Sequence, residues 1–109
     1  MKYQNVRIHK PKLTNLGKCI IGAGTVIHPC HIYDGVVIGK NCQIEAGAML
    51  FDGVTLEDDV FIGPGAIITN DPKPKSDSRL EWKPTKTLIK KGAMIGAGAI
   101  VRAGVTIGE

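Results

Sequence analysis

Residues 38–68 read IGKNCQ-IEAGAM-LFDGVT-LEDDVF-IGPGAI-I, and every group of six opens with a large aliphatic residue. The in-phase positions, which resume after a polar interruption, are Ile38, Ile44, Leu50, Leu56, Ile62, Ile68, Ile89, Ile95, Val101 and Ile107. A period of six fits neither an α-helical stripe nor a plain strand. It indicates a short strand followed by a tight corner, three units to a coil, with apolar residues buried by stacking of successive coils.

The same register extends upstream through Ile21, Ile27 and Tyr33, with one unit of five residues where Ile38 follows Tyr33. We expect the glycine at Asp34-Gly35 to absorb that shortened corner, because glycine tolerates unusual backbone angles. The 109 residues therefore predict a single all-β domain over residues 1–109, folded as a parallel β-helix.

A polar segment interrupts the repeat at about residues 70–88 and contains Pro72, Pro74 and Pro84. Proline lacks the amide hydrogen that a stacked ladder of strands requires, so this segment predicts a long loop extruded from one corner. Ile68 and Ile89 are 21 residues apart, which is a coil of 18 plus three. Trp82 lies close to Arg79, which favours a loop that docks on a ligand.

The chain has a formal net charge of +4, and its positive residues crowd into and around the interruption. This pattern suits a phosphate-bearing ligand or a solvated loop, and both interpretations remain open. Because no nucleic-acid-binding motif is present and Trp82 is the one tryptophan, we expect no nucleic-acid partner.

Cys19, Cys30 and Cys42 are odd in number and lack a CxxC spacing, which predicts reduced thiols in a core. The sequence shows neither an apolar run of about 18 residues nor a charged and apolar leader. We therefore expect a soluble cytoplasmic protein with no membrane partner.

Three stretches carry a resemblance to a known family. Residues 54–71, VTLEDDVFIGPGAIITND, form a coil that closes in Thr-Asn before the loop, and residues 87–99, TLIKKGAMIGAGA, re-enter the repeat. Residues 26–32, VIHPCHI, supply an upstream match. Together they resemble the hexapeptide-repeat acyltransferases, and within them the bacterial nucleotide-sugar N-acetyltransferases.

The resemblance implies a left-handed parallel β-helix that forms a homotrimer, with acetyl-CoA as co-substrate in clefts between subunits. The acceptor would be the amine of a nucleotide-linked aminosugar. An asparagine at the place of Asn70 holds that amine in the family, and its side-chain oxygen is a suitable hydrogen-bond acceptor. An aminosugar amine can be neutral near pH 7, so alignment and oxyanion stabilisation matter more than a strong base. The alternative interpretation is that the Asn70 side chain only caps a turn before Pro72.

Further site residues follow from the same resemblance and from charge and size. We expect Lys90 and Lys91 to attract a cofactor phosphate. The small corner residues of the repeat would leave space for the pantetheine arm at Gly96, Ala97 and Gly98. The candidate substrate-binding residues are His28, Asp71, Arg79 and Trp82.

Two other functions remain open. Carbonic anhydrases of the γ class share this fold and bind zinc through three histidines, but His9, His28 and His31 match no motif of that class. We place His31 at a small inward position and predict no metal. The chain ends at Glu109, where the family usually adds a coil and a tail, so an inactive trimeric binding or scaffold protein is the main alternative.

Overall fold

The computed structural model describes residues 5–69, 86–102 and 104–108. Within them, short strands follow one another and one 3-10 helix, η1 (Pro11–Leu13), lies between the first two. The strands are β1 (Arg7–Ile8), β2 (Asn15–Leu16), β3 (Ile20–Ile21), β4 (Val26–Ile27), β5 (His31–Ile32), β6 (Val37–Ile38), β7 (Gln43–Ile44), β8 (Met49–Leu50), β9 (Val54–Leu56), β10 (Phe61–Ile62), β11 (Ile67–Ile68), β12 (Thr87–Ile89), β13 (Met94–Ile95), β14 (Ile100–Val101) and β15 (Thr106–Ile107).

Every third strand pairs in parallel, which makes three five-stranded sheets from the described residues. Face A is β1-β4-β7-β10-β13, face B is β2-β5-β8-β11-β14, and face C is β3-β6-β9-β12-β15. The chain thus makes five coils of a triangular prism. This confirms the predicted parallel β-helix and is consistent with its left-handed class.

The core consists of three aliphatic columns, one behind each face, because each strand turns one large side chain inward. The largest fully buried side chains include Ile27, Ile32, Ile38, Ile44, Leu50, Leu56, Ile62, Ile68 and Ile89. Each such side chain contributes about 1.5–3 kcal/mol when it leaves water. The stacking of successive coils therefore supplies most of the favourable free energy of folding.

In a six-residue unit with a two-residue strand, the other four residues form a corner of the prism. We name the corners by the faces they join. The AB corner carries residues 28–30, 45–48, 63–66 and 96–99. The BC corner carries residues 17–19, 33–36, 51–53 and the long insertion after residue 69. The CA corner carries residues 22–25, 39–42, 57–60 and 90–93.

The predicted register is wrong between Ile27 and Ile38. Ile32 is the inward residue of β5, so the five-residue unit lies between Ile27 and Ile32 rather than after Tyr33. The third corner residue of a six-residue unit adopts a positive φ, as Gly35 does at 77°. The shortened corner at residues 28–30 lacks such a residue, so Gly35 belongs to an ordinary corner.

The same error affects two neighbouring side chains. His31 was predicted to point inward, but it is the outward residue of β5 and is half-buried. Tyr33, also assigned inward, lies half-buried on the BC corner. A second shortened unit, from Leu16 to Ile21, was missed because the first coil has the η1 insertion and a weak repeat.

The insertion lies at one corner, as predicted. β11 on face B and β12 on face C are consecutive sides of one coil, so the insertion adds no coil to the prism. Strand β12 begins at Thr87, and Thr87 and Leu88 therefore belong to the wall, not to the loop. Residues 70–85 lie outside the described residues.

The three cysteines are buried and form no disulfide, which agrees with the reduced thiols that the sequence predicts. Burial raises the pKa of Cys30 to about 12, and the neighbouring Cys19 adds to the effect. Burial also raises the pKa of Cys42. Cys30 and Cys42 therefore stay protonated at neutral pH and are poor nucleophiles. Among the described residues, no helix has the length and apolar character needed to cross a membrane.

The backbones of two successive coils pack closely at Gly63. A Cβ at Gly63 would lie 2.6 Å from the Ala97 nitrogen and 2.8 Å from the Gly96 carbonyl carbon, whereas a Cβ at Gly96 would meet nothing within 4 Å. We expect Gly63→Ala to lower the free energy of unfolding by about 1–3 kcal/mol, because backbone must move. Gly96→Ala should leave it unchanged or raise it slightly. Urea unfolding of both variants checks this, and equal stabilities would contradict the packing.

Candidate functional site

The predicted site residues do not form one cluster within the described chain. Asn70, Asp71, Arg79 and Trp82 lie outside the described residues. His28 lies on the AB corner, as do the predicted cofactor residues Gly96, Ala97 and Gly98. Lys90 and Lys91 lie on the CA corner. The candidate groups that the structure describes are therefore distributed over two corners.

The BC corner holds both ends of the insertion together. The Thr69 backbone nitrogen and Oγ1 donate to the Val101 carbonyl at 3.0 and 2.9 Å. Across the insertion, Thr87 Oγ1 donates to the Thr69 carbonyl at 3.1 Å and accepts from the Gly104 amide at 3.1 Å. We call this set the threonine clamp. It fixes the backbone that immediately precedes Asn70.

The clamp predicts a specific role for the Thr87 hydroxyl. Thr87 is buried, so Thr87→Val keeps the shape but leaves the Thr69 carbonyl and the Gly104 amide without this partner. We expect the free energy of unfolding to fall by about 1–3 kcal/mol. Thermal unfolding measures this, with exposed Thr106→Val on face C as the control. Equal melting temperatures for the two variants would contradict the clamp.

The AB corner carries a column of polar side chains in its lower coils, which are the coils nearest the N-terminus. The His9 and His28 rings stack with centroids 4.6 Å apart and an interplanar angle of 7°. His28 Nε2 lies 3.3 Å from Glu45 Oε2, which also accepts from Gln43 Nε2 at 3.0 Å. A carboxylate this close to Nε2 favours the neutral tautomer with its proton on Nε2, which leaves Nδ1 as the hydrogen-bond acceptor. His28 can therefore bind a donor group or accept a proton.

Sequence reasoning missed Glu45 as the partner of His28. The two residues are 17 apart, which is one shortened coil. Both placements of the five-residue unit stack them, because His28 follows Ile27 and Glu45 follows Ile44 in either register.

The upper coils of the AB corner carry small residues in place of this polar column. Gly63 continues the column above Glu45, and Gly96 follows it. Gly96, Ala97 and Gly98 are exposed, and Gly98 has a positive φ of 69°. This exposed surface can be contacted by an elongated ligand lying along the corner, while the Gly98 amide donates to the Pro64 carbonyl at 2.9 Å and the Gly96 carbonyl accepts from the Ala99 amide at 3.2 Å. This geometry suits the predicted pantetheine contact, and it equally meets the demand of the repeat for small corner residues.

Lys90 and Lys91 lie among carboxylates on the CA corner. Glu57 Oε1 accepts from the Lys91 amide at 2.9 Å, and Asp58 Oδ1 accepts from the Lys40 amide at 2.7 Å. Both carboxylates and Lys91 line a groove of about 400 Å³. These carboxylates offset part of the positive charge of Lys90 and Lys91. The two lysines therefore attract a cofactor phosphate less strongly than the sequence alone suggests.

The three histidines occupy two separate places. His9 and His28 stack on the AB corner, whereas His31 stacks on Tyr33 with centroids 4.1 Å apart. In residues 5–69, 86–102 and 104–108, no group of three or more histidine, cysteine or acidic side chains is arranged to hold a metal ion.

Comparisons with known proteins agree with the repeat. Residues 35–70 match the family model described as bacterial transferase hexapeptide (six repeats), and residues 87–109 match the hexapeptide repeat of succinyl-transferase. The matched relatives include acyl-[acyl-carrier-protein]–UDP-N-acetylglucosamine O-acyltransferases of Brucella ovis, Brucella canis and Brucella suis. Each is 27% identical over 88 residues, which cover 80% of this chain and 28% of the relative.

The aligned segment thus covers well under a third of the length of these relatives. The two family-model matches flank the insertion and together include nearly all of the regular coils from residue 35 onward. The matches and the β-helix identify this chain as a member of the hexapeptide-repeat acyltransferase family.

Proposed function

We propose that this protein transfers an acetyl group from acetyl-CoA to the amine of a nucleotide-linked aminosugar. The observation that carries the proposal is the threonine clamp, which fixes the chain directly before Asn70 on a corner with a long insertion. Membership of an acyltransferase family supports acyl transfer. The relatives are named for UDP-N-acetylglucosamine, which supports a nucleotide-sugar acceptor.

The chemistry needs little beyond alignment. The neutral amine attacks the thioester carbonyl, the C–S bond breaks, and coenzyme A leaves as the thiol once the amine proton is lost. In this proposal the Asn70 side-chain oxygen accepts a hydrogen bond from the amine and aims the nitrogen lone pair at the carbonyl carbon. Positioning of this kind supplies several kcal/mol of the lowered barrier. Asp71, Arg79 and Trp82 of the insertion would hold the sugar nucleotide.

A shared site between copies of the chain would bring the separated groups together. Thr69, which precedes Asn70, lies on the BC corner and Gly96 lies on the AB corner, so face B separates them within one chain. The outward residues Met94 and Ile100, 75% and 69% exposed, flank the small residues of the AB corner on faces A and B. Such apolar exposure suits an interface. We propose a homotrimer in which the AB corner of one copy faces the BC corner of another.

The homotrimer is expected at micromolar concentration. Light scattering of the purified chain should give three times the monomer mass, and Met94→Asp with Ile100→Asp should shift it to monomer because charge opposes burial. The matched control is Gln43→Asp, another outward position of face A. A wild-type monomer that binds acetyl-CoA would contradict the shared site.

One observation favours a second function, O-acyl transfer from an acyl carrier protein. A hydroxyl is a weaker nucleophile than a neutral amine and needs a general base, and His28 with Glu45 at 3.3 Å could provide one. The relatives are named as O-acyltransferases that use acyl-[acyl-carrier-protein]. His28 nevertheless lies on a different corner from the threonine clamp.

The two functions separate in one assay of acyl transfer. Wild type and His28→Gln would be given acetyl-CoA or an acyl carrier protein thioester, each with amino and hydroxyl nucleotide sugars. For N-acetylation we expect turnover with acetyl-CoA and amines, and a change of less than about fivefold in His28→Gln. A general base contributes about 10²–10⁴-fold, so a loss of that size with a hydroxyl acceptor would establish the second function. His9→Gln serves as the control.

A further inference from the structure

A groove at the lower end of the BC corner is not used by the proposed chemistry. It has a volume of about 410 Å³, and its lining includes Asn15, Gly17, His31, Tyr33, Asp34 and Asp52. All of these residues lie in the first three coils, below the threonine clamp. The groove combines aromatic rings with carboxylates and an amide, a composition that the stacking of aliphatic columns does not require.

The aromatic rings form a continuous stack. Tyr33 stacks on Phe51 of the next coil with centroids 4.6 Å apart and an interplanar angle of 16°. His31 stacks on Tyr33 with centroids 4.1 Å apart. We call these three residues the ring stack. It presents half-buried planar surface at the groove, and such surface binds nucleobases at about 1–3 kcal/mol per stacked base.

The column of Phe51 and Tyr33 continues downward to Gly17, which has no side chain. Successive amides on this corner, those of Gly17, Tyr33 and Phe51, donate to the coil above at 2.8–3.2 Å, so these residues stand in one column. A Cβ at Gly17 would lie 2.7 Å from the Asp34 nitrogen, which excludes a larger residue there. The column therefore has no ring of its own below Tyr33, and the groove lies beside His31, which stacks on the face of Tyr33 that Phe51 leaves free.

The charges in the groove select the kind of ligand. Asp34 Oδ1 accepts from the Lys18 amide at 2.7 Å, which fixes the carboxylate and leaves Oδ2 for a ligand. Asp52 provides a second carboxylate. Two carboxylates repel phosphate, whereas carboxylates accept hydrogen bonds from ribose hydroxyls. The chemistry therefore fits a nucleoside moiety, with its phosphates outside the groove.

We propose that the groove binds the nucleoside of the nucleotide-linked acceptor, with its base stacked on the ring stack and its ribose hydroxyls on Asp34 and Asp52. This inference rests on the proposed function. Tyr33 and Thr69 are two coils apart on the BC corner, about 10 Å at the spacing of parallel strands. The diphosphate bridges that distance, so the sugar amine reaches the residue that follows Thr69.

Binding of uridine, thymidine, adenosine and ribose to the full chain tests the proposal by saturation-transfer NMR. We expect the strongest transfer to base protons, and ribose alone should bind at least tenfold more weakly. Tyr33→Ala should weaken nucleoside binding about tenfold or more, whereas Tyr33→Phe keeps the stack and should stay within about twofold. Phe61→Ala, which removes an outward ring from face A, is the matched control. If Tyr33→Ala unfolds, His31→Ala replaces it.

The outcomes distinguish this inference from the proposed function. Absence of nucleoside binding to wild type, or equal binding by Tyr33→Ala and Phe61→Ala, would overturn the nucleoside site. If that happened while wild type still acetylated an aminosugar nucleotide, the proposed function would stand. A wild type that binds nucleosides through Tyr33 but releases no thiol from acetyl-CoA would support the groove and contradict the acetyltransferase.

Discussion

Asn70→Ala is expected to lower turnover of acetyl-CoA by about ten- to a thousandfold, because alignment and charge stabilisation carry several kcal/mol of an acyl-transfer barrier. The buried aliphatic columns are formed by other residues, and the threonine clamp is anchored by Thr69 and Thr87. The melting temperature should therefore change little. The measurement follows free thiol released from acetyl-CoA with 3-amino and 4-amino nucleotide sugars.

Asn70→Asp provides the conservative control, since it keeps an oxygen that accepts a hydrogen bond from the amine. It should retain more activity than Asn70→Ala. If Asn70→Ala turned over as fast as the wild type, Asn70 would be only a turn residue before Pro72 and the acceptor site would lie elsewhere.

Ile62→Asp is expected to cost several kcal/mol and to unfold the domain at room temperature. Ile62 is fully buried, and its β10 strand pairs with β7 and β13 on either side. A carboxylate at this position has no water and no partner unless it takes up a proton. Domains of this size are stable by only about 5–15 kcal/mol, so the loss is a large fraction of the total. Circular dichroism during heating provides the measurement.

The control for Ile62→Asp is Gln43→Asp, an exposed outward residue paired in register with Phe61. It loses one exposed hydrogen bond to Glu45 and should cost less than about 1 kcal/mol. An Ile62→Asp protein as stable as Gln43→Asp would contradict the inward register of face A.

The regular coils could be predicted because burial repeats every six residues there. From Ile38 to Ile68 each predicted inward position is buried. The register error between Ile27 and Ile38 arose because Ile32 and Tyr33 are adjacent and both apolar. The five-residue unit could therefore end at Ile32 or begin at Tyr33. The pairing with the next coil distinguishes the two placements, since β5 pairs with β8 and sets Ile32 opposite Leu50.

The candidate site was harder to predict, because function here depends on which corner a residue occupies. The spacing of 21 residues from Ile68 to Ile89 allows either an added coil or an insertion between adjacent faces, and the spacing alone does not distinguish the two. The pairing of β12 with β9 makes the choice. The ring stack had a readable signal, since Tyr33 and Phe51 are 18 residues apart, which is one full coil. It was missed because Tyr33 was assigned to the core.

Mass spectrometry of the reaction products would show whether this protein acetylates an amine with acetyl-CoA. Wild-type protein would be incubated with acetyl-CoA and a panel of amino and hydroxyl nucleotide sugars, with melting curves recorded in parallel. We expect an N-acetylated nucleotide sugar and a melting temperature raised by acetyl-CoA, since a ligand that binds the native state stabilises it. An unchanged melting temperature and no acetylated product from any amine would contradict the proposed function and favour a binding or scaffold protein.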